Sequence, residues 1–361
     1  MSGPSIFIIA EAGVNHNGSV RTAKKMVDVA LAAGADAVKF QTFITEHVLS
    51  KNTRKAAYQQ KTTGKAESAW DMIKSLELTP REHMEIAAYC RRRGIEYMST
   101  PFDLPSLDLL VRQIRVKRLK IPSGEITNAP LLVRAGQAHL PVLVSTGMAN
   151  IREIKDALGA IAFGMISRES ETPSKARFNR AYHSPQGQKL LRRYVTVLQC
   201  TTEYPAPANA MNLRAMATMR QALLLPVGFS DHSLGIAAPI AAAALGAVVI
   251  EKHFTLNKKM PGPDQTASLD PKELREMVRG VRTVEAMLGT GVKAAFHCEQ
   301  KNIPIARKSL VAARPIRTGE RFTPENLMPK RPGSGVSPFQ YWNYLGRKSK
   351  NTYREDDLIK K

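Results

Sequence analysis

One stretch decides the fold, and it runs over residues 227–253: VGFSDHSLGIAAPIAAAALGAVVIEKH. Its two ends are short apolar runs that finish in polar residues, and an alanine-rich segment lies between them. A helix between two strands is the usual crossover of a parallel sheet. The stretch therefore predicts a strand, a helix and a second strand parallel to the first.

The same pattern repeats along the first 255 residues. Apolar runs that finish in polar residues predict strands at residues 6–11, 37–41, 95–100, 118–123, 142–146, 195–201, 227–232 and 248–253. Helix-like segments alternate with them at residues 22–33, 80–93, 104–115, 131–136, 151–162, 213–224 and 236–245, and a closing helix begins at Pro271. Eight such repeats predict an α/β protein with a (β/α)8 TIM barrel, and an open doubly wound sheet is the alternative.

Three segments depart from this rhythm. Residues from about 45 to 70 are too long and polar for an ordinary connection and are typical of a lid or binding loop. Residues 167–193 are rich in Lys and Arg, and we expect a solvated, partly disordered insertion, with nucleic-acid or membrane contact as the alternative. After residue 290 the chain becomes basic and turn-rich, so we expect a barrel over 1–290, a linker over 291–305 and a small domain over 306–361.

The composition restricts the class of protein. The 361 residues include 43% hydrophobic and 23% charged residues, which excludes disordered and collagen-like chains. With 53 Lys and Arg against 31 Asp and Glu, the net charge of +22 attracts anions such as nucleic acid, an acidic membrane or a phosphorylated small molecule. Three widely spaced cysteines argue against a disulfide framework. No leader or 18-residue apolar segment is evident, and we expect a soluble cytoplasmic protein.

Polar side chains end every predicted strand. In barrels of this kind the functional groups lie at the carboxyl ends of the strands. Because alternate residues share a face, many of these side chains would point to the barrel axis. The candidates are Glu11, Lys39, Gln41, Thr100, Lys120, Ser123, Ser145, Thr146, Thr201, Ser230, His232, Glu251 and His253.

Two histidines end neighbouring strands at equivalent positions. Adjacent strands lie about 4.8 Å apart, so His232 and His253 could share one divalent ion. The alternative is that each histidine only caps its strand through hydrogen bonds. Two imidazoles with oxygen ligands suit Mn²⁺, Mg²⁺ or Zn²⁺, and such an ion can polarise a carbonyl group.

Two lysines and several hydroxyl groups form a second constellation, which suits a phosphate. Its members are Lys39, Lys120, Thr100, Ser123, Ser145 and Ser230. The carboxylates of Glu11, Glu125 and Glu251 could be counter-charges to these lysines or acid–base groups.

Seven motifs together resemble one family. They are IAEAGVNHNG at residues 9–18, VKFQT at 38–42, KIPSGE at 120–125, STGM at 145–148, FSDHS at 229–233, EKHFT at 251–255 and GPD at 262–264. In this order they resemble the sialic acid synthase family over nearly the whole chain. The tail motif KRPGSG at residues 330–335 resembles that family's antifreeze-like (SAF) domain.

The resemblance implies a condensation of phosphoenolpyruvate with N-acetylmannosamine and water, which gives N-acetylneuraminate and phosphate. His232 and His253 would bind Mn²⁺ or Mg²⁺ near the sugar aldehyde, and the lysine and hydroxyl set above would hold phosphoenolpyruvate. Glu11 and Glu251 would handle protons or orient water. The sugar would contact Gln41, Glu125, Tyr204, Asp264 and, from the partner of a domain-swapped homodimer, Arg331.

Alternatives remain at the level of the sequence. Met260 and Gln265 depart from residues common in the family near the expected sugar site, so 2,4-diacetamido-2,4,6-trideoxymannose, giving N,N'-diacetyllegionaminate, is the second candidate. A basic nucleic-acid-binding protein and a catalytically silent scaffold are the alternatives from other classes.

Overall fold

Eight parallel strands form one sheet in the computed structural model, which describes residues 5–63, 68–168 and 170–360. The strands are β1 (Phe7–Gly13), β2 (Ala37–Thr42), β3 (Glu96–Pro101), β4 (Leu119–Ile121), β5 (Val142–Ser145), β6 (Val195–Cys200), β7 (Val227–Asp231) and β8 (Val249–His253). Their order is β3-β2-β1-β8-β7-β6-β5-β4, and β3 lies next to β4, so the sheet nearly closes. The TIM-barrel prediction is confirmed, and the open doubly wound alternative is wrong.

Helices connect the strands. They are α1 (Val20–Ala33), α2 (Thr45–Val48), α3 (Ala57–Thr63), α4 (Ala69–Leu76), α5 (Pro80–Arg93), α6 (Leu104–Asp108), α7 (Ala129–Gln137), α8 (Ile151–Ile166), α9 (Lys175–His183), α10 (Pro185–Tyr194), α11 (Ala215–Leu223), α12 (Ala237–Ala244) and α13 (Pro271–Leu288). Capping boxes begin α5 at Thr79 and α13 at Asp270, each with proline in the first turn. Where the sequence predicted one helix over 104–115, α6 continues as a π-helix, Leu109–Ile114.

Side chains fill the inside of the barrel below the carboxyl ends of the strands. One buried cluster there comprises Ile9, Ala37, Met98, Leu143, Leu198 and Val249. Gly228 makes room for two of them, because a Cβ atom at this position would lie 2.6 Å from both Leu198 Cδ2 and the carbonyl oxygen of Val249. The inside of the barrel is therefore filled by apolar side chains, and inward-facing residues further along the strands reach the rim.

Both long insertions contain helices. Residues 45–76, which we call the β2 insertion, contain α2, α3 and α4 rather than an irregular loop. The basic segment 167–193 contains α9 and most of α10, so the expectation of partial disorder is wrong for its described residues. Helix α9 packs closely on α8, because a Cβ at Gly159 would lie 2.7 Å from the carbonyl oxygen of Phe178.

The chain divides into two units, Met1–Thr290 and Gly291–Lys361. The second unit contains α14 (His297–Gln300), α15 (Ile303–Ala306), α16 (Tyr341–Tyr344) and the antiparallel pair β9 (Ser309–Ala312) and β10 (Leu327–Lys330). Its own hydrophobic core comprises Leu310, Ala312, Ile316, Phe322, Leu327, Val336, Tyr353 and Ile359. In the described part of the chain, no helix combines the length and apolar character that a membrane span needs.

Candidate functional site

A cavity of about 270 Å³ opens at the carboxyl rim of the barrel. Most of the residues that the sequence nominated line it. They are Glu11, Lys39, Gln41, Thr100, Lys120, Ser123, Ser145, Tyr204, Ser230, His232, Glu251, His253 and Asp264. Most of them lie at or just after the carboxyl ends of the strands, whereas Tyr204 and Asp264 lie in the loops that follow β6 and β8.

Two ammonium groups and two carboxylates alternate on the floor of this cavity. Lys39 Nζ lies 2.5 Å from Glu11 Oε2 and 3.6 Å from Glu251 Oε2, and it donates a hydrogen bond to Thr100 Oγ1 at 2.8 Å. Lys120 Nζ lies 2.7 Å from Glu251 Oε1, which also accepts a hydrogen bond from Ser230 Oγ at 2.8 Å. All four charged side chains are buried. An anion that reaches this floor therefore meets two desolvated cations.

Burial shifts the pKa values of these groups in different directions. Desolvation raises the pKa of Glu11 to about 7, because it outweighs the attraction of Lys39. Burial also opposes the charge of Glu251, but Lys120 and Lys39 outweigh it and hold the pKa of that carboxyl well below its usual range. The same carboxylates overcome the desolvation of Lys39 and raise its pKa. The floor thus holds one permanent carboxylate and one carboxyl group that exchanges its proton near neutral pH.

Hydroxyl groups on the opposite side complete the lining. Ser145 Oγ and Thr202 Oγ1 are buried and have no hydrogen-bond partner among the described residues. Ser123 Oγ accepts a hydrogen bond from the backbone amide of Gly147 at 3.0 Å. A buried hydroxyl without a partner is costly unless a ligand supplies one. These groups can therefore donate hydrogen bonds to an oxyanion.

The two imidazoles lie side by side at the same rim, with ring centroids 5.6 Å apart. Rings that share an ion, each through a nitrogen about 2.1 Å from it, would have centroids about 5 to 6 Å apart. His232 Nδ1 lies 2.7 Å from the carbonyl oxygen of Thr201, so Nδ1 donates to this oxygen and Nε2 is the nitrogen left to bind an ion. His253 Nδ1 is buried and has no hydrogen-bond partner among the described residues.

These residues fit a divalent ion. Burial lowers the pKa of His253 well below its usual value, which favours the neutral imidazole that binds metals. Gly13 leaves space for this ring, because a Cβ there would lie 3.1 Å from His253 Cε1 and the backbone φ is +51°. In the part of the chain that the structure describes, no group of three His, Cys, Asp or Glu side chains could hold an ion. The remaining ligands of a divalent ion held by His232 and His253 would be water or substrate.

Several lining residues escaped the sequence analysis. They are Val14, Gln59, Ile73, Phe102, Met148, Cys200, Thr202 and Pro263. Strand parity could have indicated Cys200, because it shares the inward face of β6 with Leu198. In the structure, Cys200 Sγ lies 3.7 Å from His232 Nδ1. Gln59 and Ile73 could not, because they belong to α3 and α4 of the β2 insertion. Nothing in their spacing shows that these helices reach the pocket.

Several residues considered in the sequence analysis do not line the cavity, among them Thr146 and Thr201, whose hydroxyl groups donate to backbone carbonyl oxygens. Glu125 does not line the cavity, and its carboxylate accepts a hydrogen bond from Asn128 Nδ2 at 2.6 Å. Arg331 lies in the second unit, where its Nε donates to the carbonyl oxygen of Ala306 at 3.0 Å. Gln265 is fully buried and donates a hydrogen bond to the carbonyl oxygen of Asn15 at 3.1 Å. It therefore connects two loops and does not itself line the pocket.

A nearly closed parallel barrel with a pocket of charged and hydroxyl side chains at its carboxyl rim is typical of an α/β barrel enzyme that acts on a small molecule. Family comparison agrees with this class. The NeuB family model matches residues 26–293, and the SAF domain model matches residues 307–361. The chain belongs to the NeuB family, a family of nonulosonic acid synthases, and carries a C-terminal SAF domain.

Individual relatives extend over the whole chain. The N,N'-diacetyllegionaminic acid synthase of Campylobacter jejuni subsp. jejuni serotype O:2 is 45% identical over 353 residues, 98% of each chain. The enzyme of the same name from Legionella pneumophila subsp. pneumophila is 40% identical and covers 96% of this chain and 90% of its own. The crystal structure of the N-acetylneuraminic acid synthetase of Leptospira borgpetersenii serovar Hardjo-bovis matches with a TM-score of 0.65 and 31% identity, over 84% of this chain and 91% of that chain.

Proposed function

We propose that this protein is a metal-dependent N,N'-diacetyllegionaminate synthase. It would condense phosphoenolpyruvate with 2,4-diacetamido-2,4,6-trideoxymannose and water and release phosphate. The observation that carries the proposal is the pocket floor, where buried Lys39 and Lys120 lie beside unpartnered hydroxyls and a pair of imidazoles. Such a floor can hold an anionic donor next to a metal-bound acceptor.

The proposed sugar replaces N-acetylmannosamine, which was the first expectation from the sequence. Val14, Ile73 and Phe102 line the pocket and pack with Phe43 and Leu76 in a hydrophobic cluster apart from the barrel core. A C6 methyl group suits this apolar wall, whereas a C6 hydroxyl would lose water there without gaining a hydrogen bond. The relatives at 45% and 40% identity, both named for N,N'-diacetyllegionaminic acid, support the same choice.

Different residues of the pocket would serve different steps of the reaction. Lys39, Lys120 and the hydroxyl groups would bind phosphoenolpyruvate and orient its enol carbon toward the sugar aldehyde. Mn²⁺ or Mg²⁺, when bound by His232 and His253, would polarise the aldehyde oxygen. Glu11, whose pKa lies near 7, would remove a proton from the water that adds to C2 of the donor. Loss of phosphate from that carbon then leaves the 2-keto acid.

Other parts of the chain would hold the sugar. Gln41, Tyr204 and Asp264 line the pocket and offer donors and acceptors for the hydroxyl and acetamido groups. Burial raises the pKa of Asp264 to about 6. We also propose a homodimer in which Arg331 of one subunit reaches the sugar in the barrel of the other.

The test supplies phosphoenolpyruvate with each candidate sugar, with and without added Mn²⁺, and identifies the product by mass. We expect phosphate release only with the metal, and a kcat/KM for the trideoxy sugar at least about tenfold above that for N-acetylmannosamine. A preference for N-acetylmannosamine would contradict the proposed sugar. Full turnover after chelation would contradict the metal.

A further inference from the structure

A fully buried ion pair lies directly behind the two imidazoles, on the other face of the same strands. Lys252 Nζ lies 2.6 Å from Asp231 Oδ2, and neither side chain is exposed to solvent. The two residues are cross-strand neighbours of β8 and β7. Neither lines the pocket, because residues 230, 232, 251 and 253 take the inward direction at these strand ends.

The pair fixes the backbone on both sides of His232. Asp231 precedes this histidine, and its Oδ1 accepts a hydrogen bond from the amide of Ser233 at 2.8 Å. The ammonium group of Lys252 also donates to the carbonyl oxygen of Ser233. Lys252 immediately precedes His253 in the chain. The ammonium group of Lys252 therefore contacts Asp231 and Ser233, the two residues that flank His232, and Lys252 itself precedes His253.

A buried ion pair of this kind contributes little net free energy of folding and more to the geometry of the groups around it. Removing two charges from water costs several kcal/mol per ion, and a well-packed apolar pair of similar volume is often at least as stable. An apolar pair could not form the three directional contacts made here with Asp231 and Ser233. Hydrogen bonds of charged groups are short and directional, so they restrict the backbone more tightly than packing does.

The two imidazoles need this restriction, because a shared ion requires both ring nitrogens to lie about 2.1 Å from one point. The ring of His232 is held by the carbonyl oxygen of Thr201, and its backbone oxygen accepts from the amide of Ala206 at 2.9 Å. The carbonyl oxygen of His253 accepts from the amide of Leu269 at 2.9 Å. These bonds orient each histidine separately, whereas the Lys252–Asp231 pair joins the side chains that directly precede His253 and His232 on the two strands.

We infer that Lys252 and Asp231 are positioning residues that set the separation of His232 and His253 for divalent-metal binding. The inference rests on the metal site of the proposed function but does not depend on which sugar is used. Its closing experiment therefore measures metal affinity directly, in protein without substrates.

The experiment titrates Mn²⁺ into the full chain and follows free Mn²⁺ by electron paramagnetic resonance. The double variant Lys252→Met/Asp231→Asn removes both charges and keeps an acceptor for the Ser233 amide. We expect its Mn²⁺ dissociation constant to rise about 10- to 100-fold, as for other groups that support metal ligands. The affinity for phosphoenolpyruvate, measured without metal, should change less than about threefold, because the lysines and hydroxyls of the floor are untouched.

Two further variants keep the test decisive. Asp231→Asn alone is isosteric and should weaken Mn²⁺ binding in the same direction if the double variant does not fold. Arg134→Met/Asp108→Asn removes a partly buried pair between α7 and α6, whose Nη2–Oδ1 distance is 2.5 Å, and should leave Mn²⁺ binding unchanged. Wild-type affinity in folded Lys252 and Asp231 variants would overturn the inference alone. Failure of the wild type to bind Mn²⁺ would overturn the metal site and the inference together.

Discussion

Burial raises the pKa of Glu11, the carboxyl group that we propose as the base, to about 7. A glutamate with the usual pKa of 4.5 would be ionised throughout pH 6 to 8, whereas Glu11 loses its proton around pH 7. Because this pKa is that of the free enzyme, we expect kcat/KM to rise with pH through about 7. Glu11→Gln should abolish the rise and lower kcat by about 10²- to 10⁴-fold. Steady-state rates from pH 5.5 to 8.5 measure this, and Glu125→Gln, outside the cavity lining, should keep the rise.

Ile73 is the residue that we expect to determine which sugar terminus the pocket accepts. Its side chain belongs to the apolar wall, so Ile73→Thr places a hydroxyl where we propose that the C6 methyl group lies. We expect the preference for the trideoxy sugar over N-acetylmannosamine to fall about tenfold, with the KM of phosphoenolpyruvate unchanged. Val48 packs against the same cluster but does not line the cavity, so Val48→Thr is the matched control. Equal effects of the two substitutions would show that the cluster acts only through stability.

At the scale of elements, local periodicity in the sequence predicts the bounds of the strands and the direction of their side chains. The predicted and observed bounds of the strands agree within two residues, because each strand is an apolar run that ends in polar residues. Strand parity also correctly predicts that Ile9 and Val249 point into the barrel. The same parity directs Asp231 and Lys252 outward, where two opposite charges must pair. The position of the β2 insertion over the rim depends on packing between distant segments, which no spacing in the sequence reveals. Residues 64–67 of that insertion lie outside the described part of the chain.

Helix α5 and strand β3 together bury a histidine that should make the barrel sensitive to acid. His83 Nδ1 lies 2.9 Å from the hydroxyl of Tyr97, and burial lowers the pKa of His83 to about 3 and that of His16 to about 4. Both values lie below the usual 6.5, so the neutral rings stabilise the fold fully above that pH. This contribution is lost as the pH falls from 6.5 toward 3, by up to about 1.4 kcal/mol per pH unit for each ring.

Thermal melting at pH 7.5 and pH 5 measures this sensitivity. The raised pKa values of Glu11 and Asp264 favour the fold in acid and oppose this loss in every variant. We therefore expect the change in Tm from pH 7.5 to pH 5 to be less unfavourable for His83→Gln, which can still form a hydrogen bond to Tyr97 but does not titrate, than for the wild type. His47→Gln changes an exposed histidine on α2 and should reproduce the wild-type difference. An unchanged pH dependence in His83→Gln would show that other groups control unfolding in acid.

The charge of the whole molecule acts on binding rather than on fold. A net charge of +22 attracts phosphoenolpyruvate over distances that salt screens, whereas the sugar is uncharged. We expect kcat/KM for phosphoenolpyruvate to fall several-fold between 50 and 500 mM KCl, with the KM of the sugar nearly constant. A parallel loss for both substrates would indicate a general effect of salt on the enzyme instead.

The two units of the chain raise the question of which barrel each Arg331 serves, and mixed dimers can answer it. His253→Ala should inactivate a barrel through the metal site, and Arg331→Ala should impair sugar use. In a dimer with one subunit of each kind, purified through two different tags, exchange of the C-terminal unit would give the intact barrel an intact Arg331 from its partner. Such a dimer should have about half of the wild-type activity. If each Arg331 served its own barrel, neither site would be complete, and activity would stay at the level of the Arg331→Ala homodimer or below.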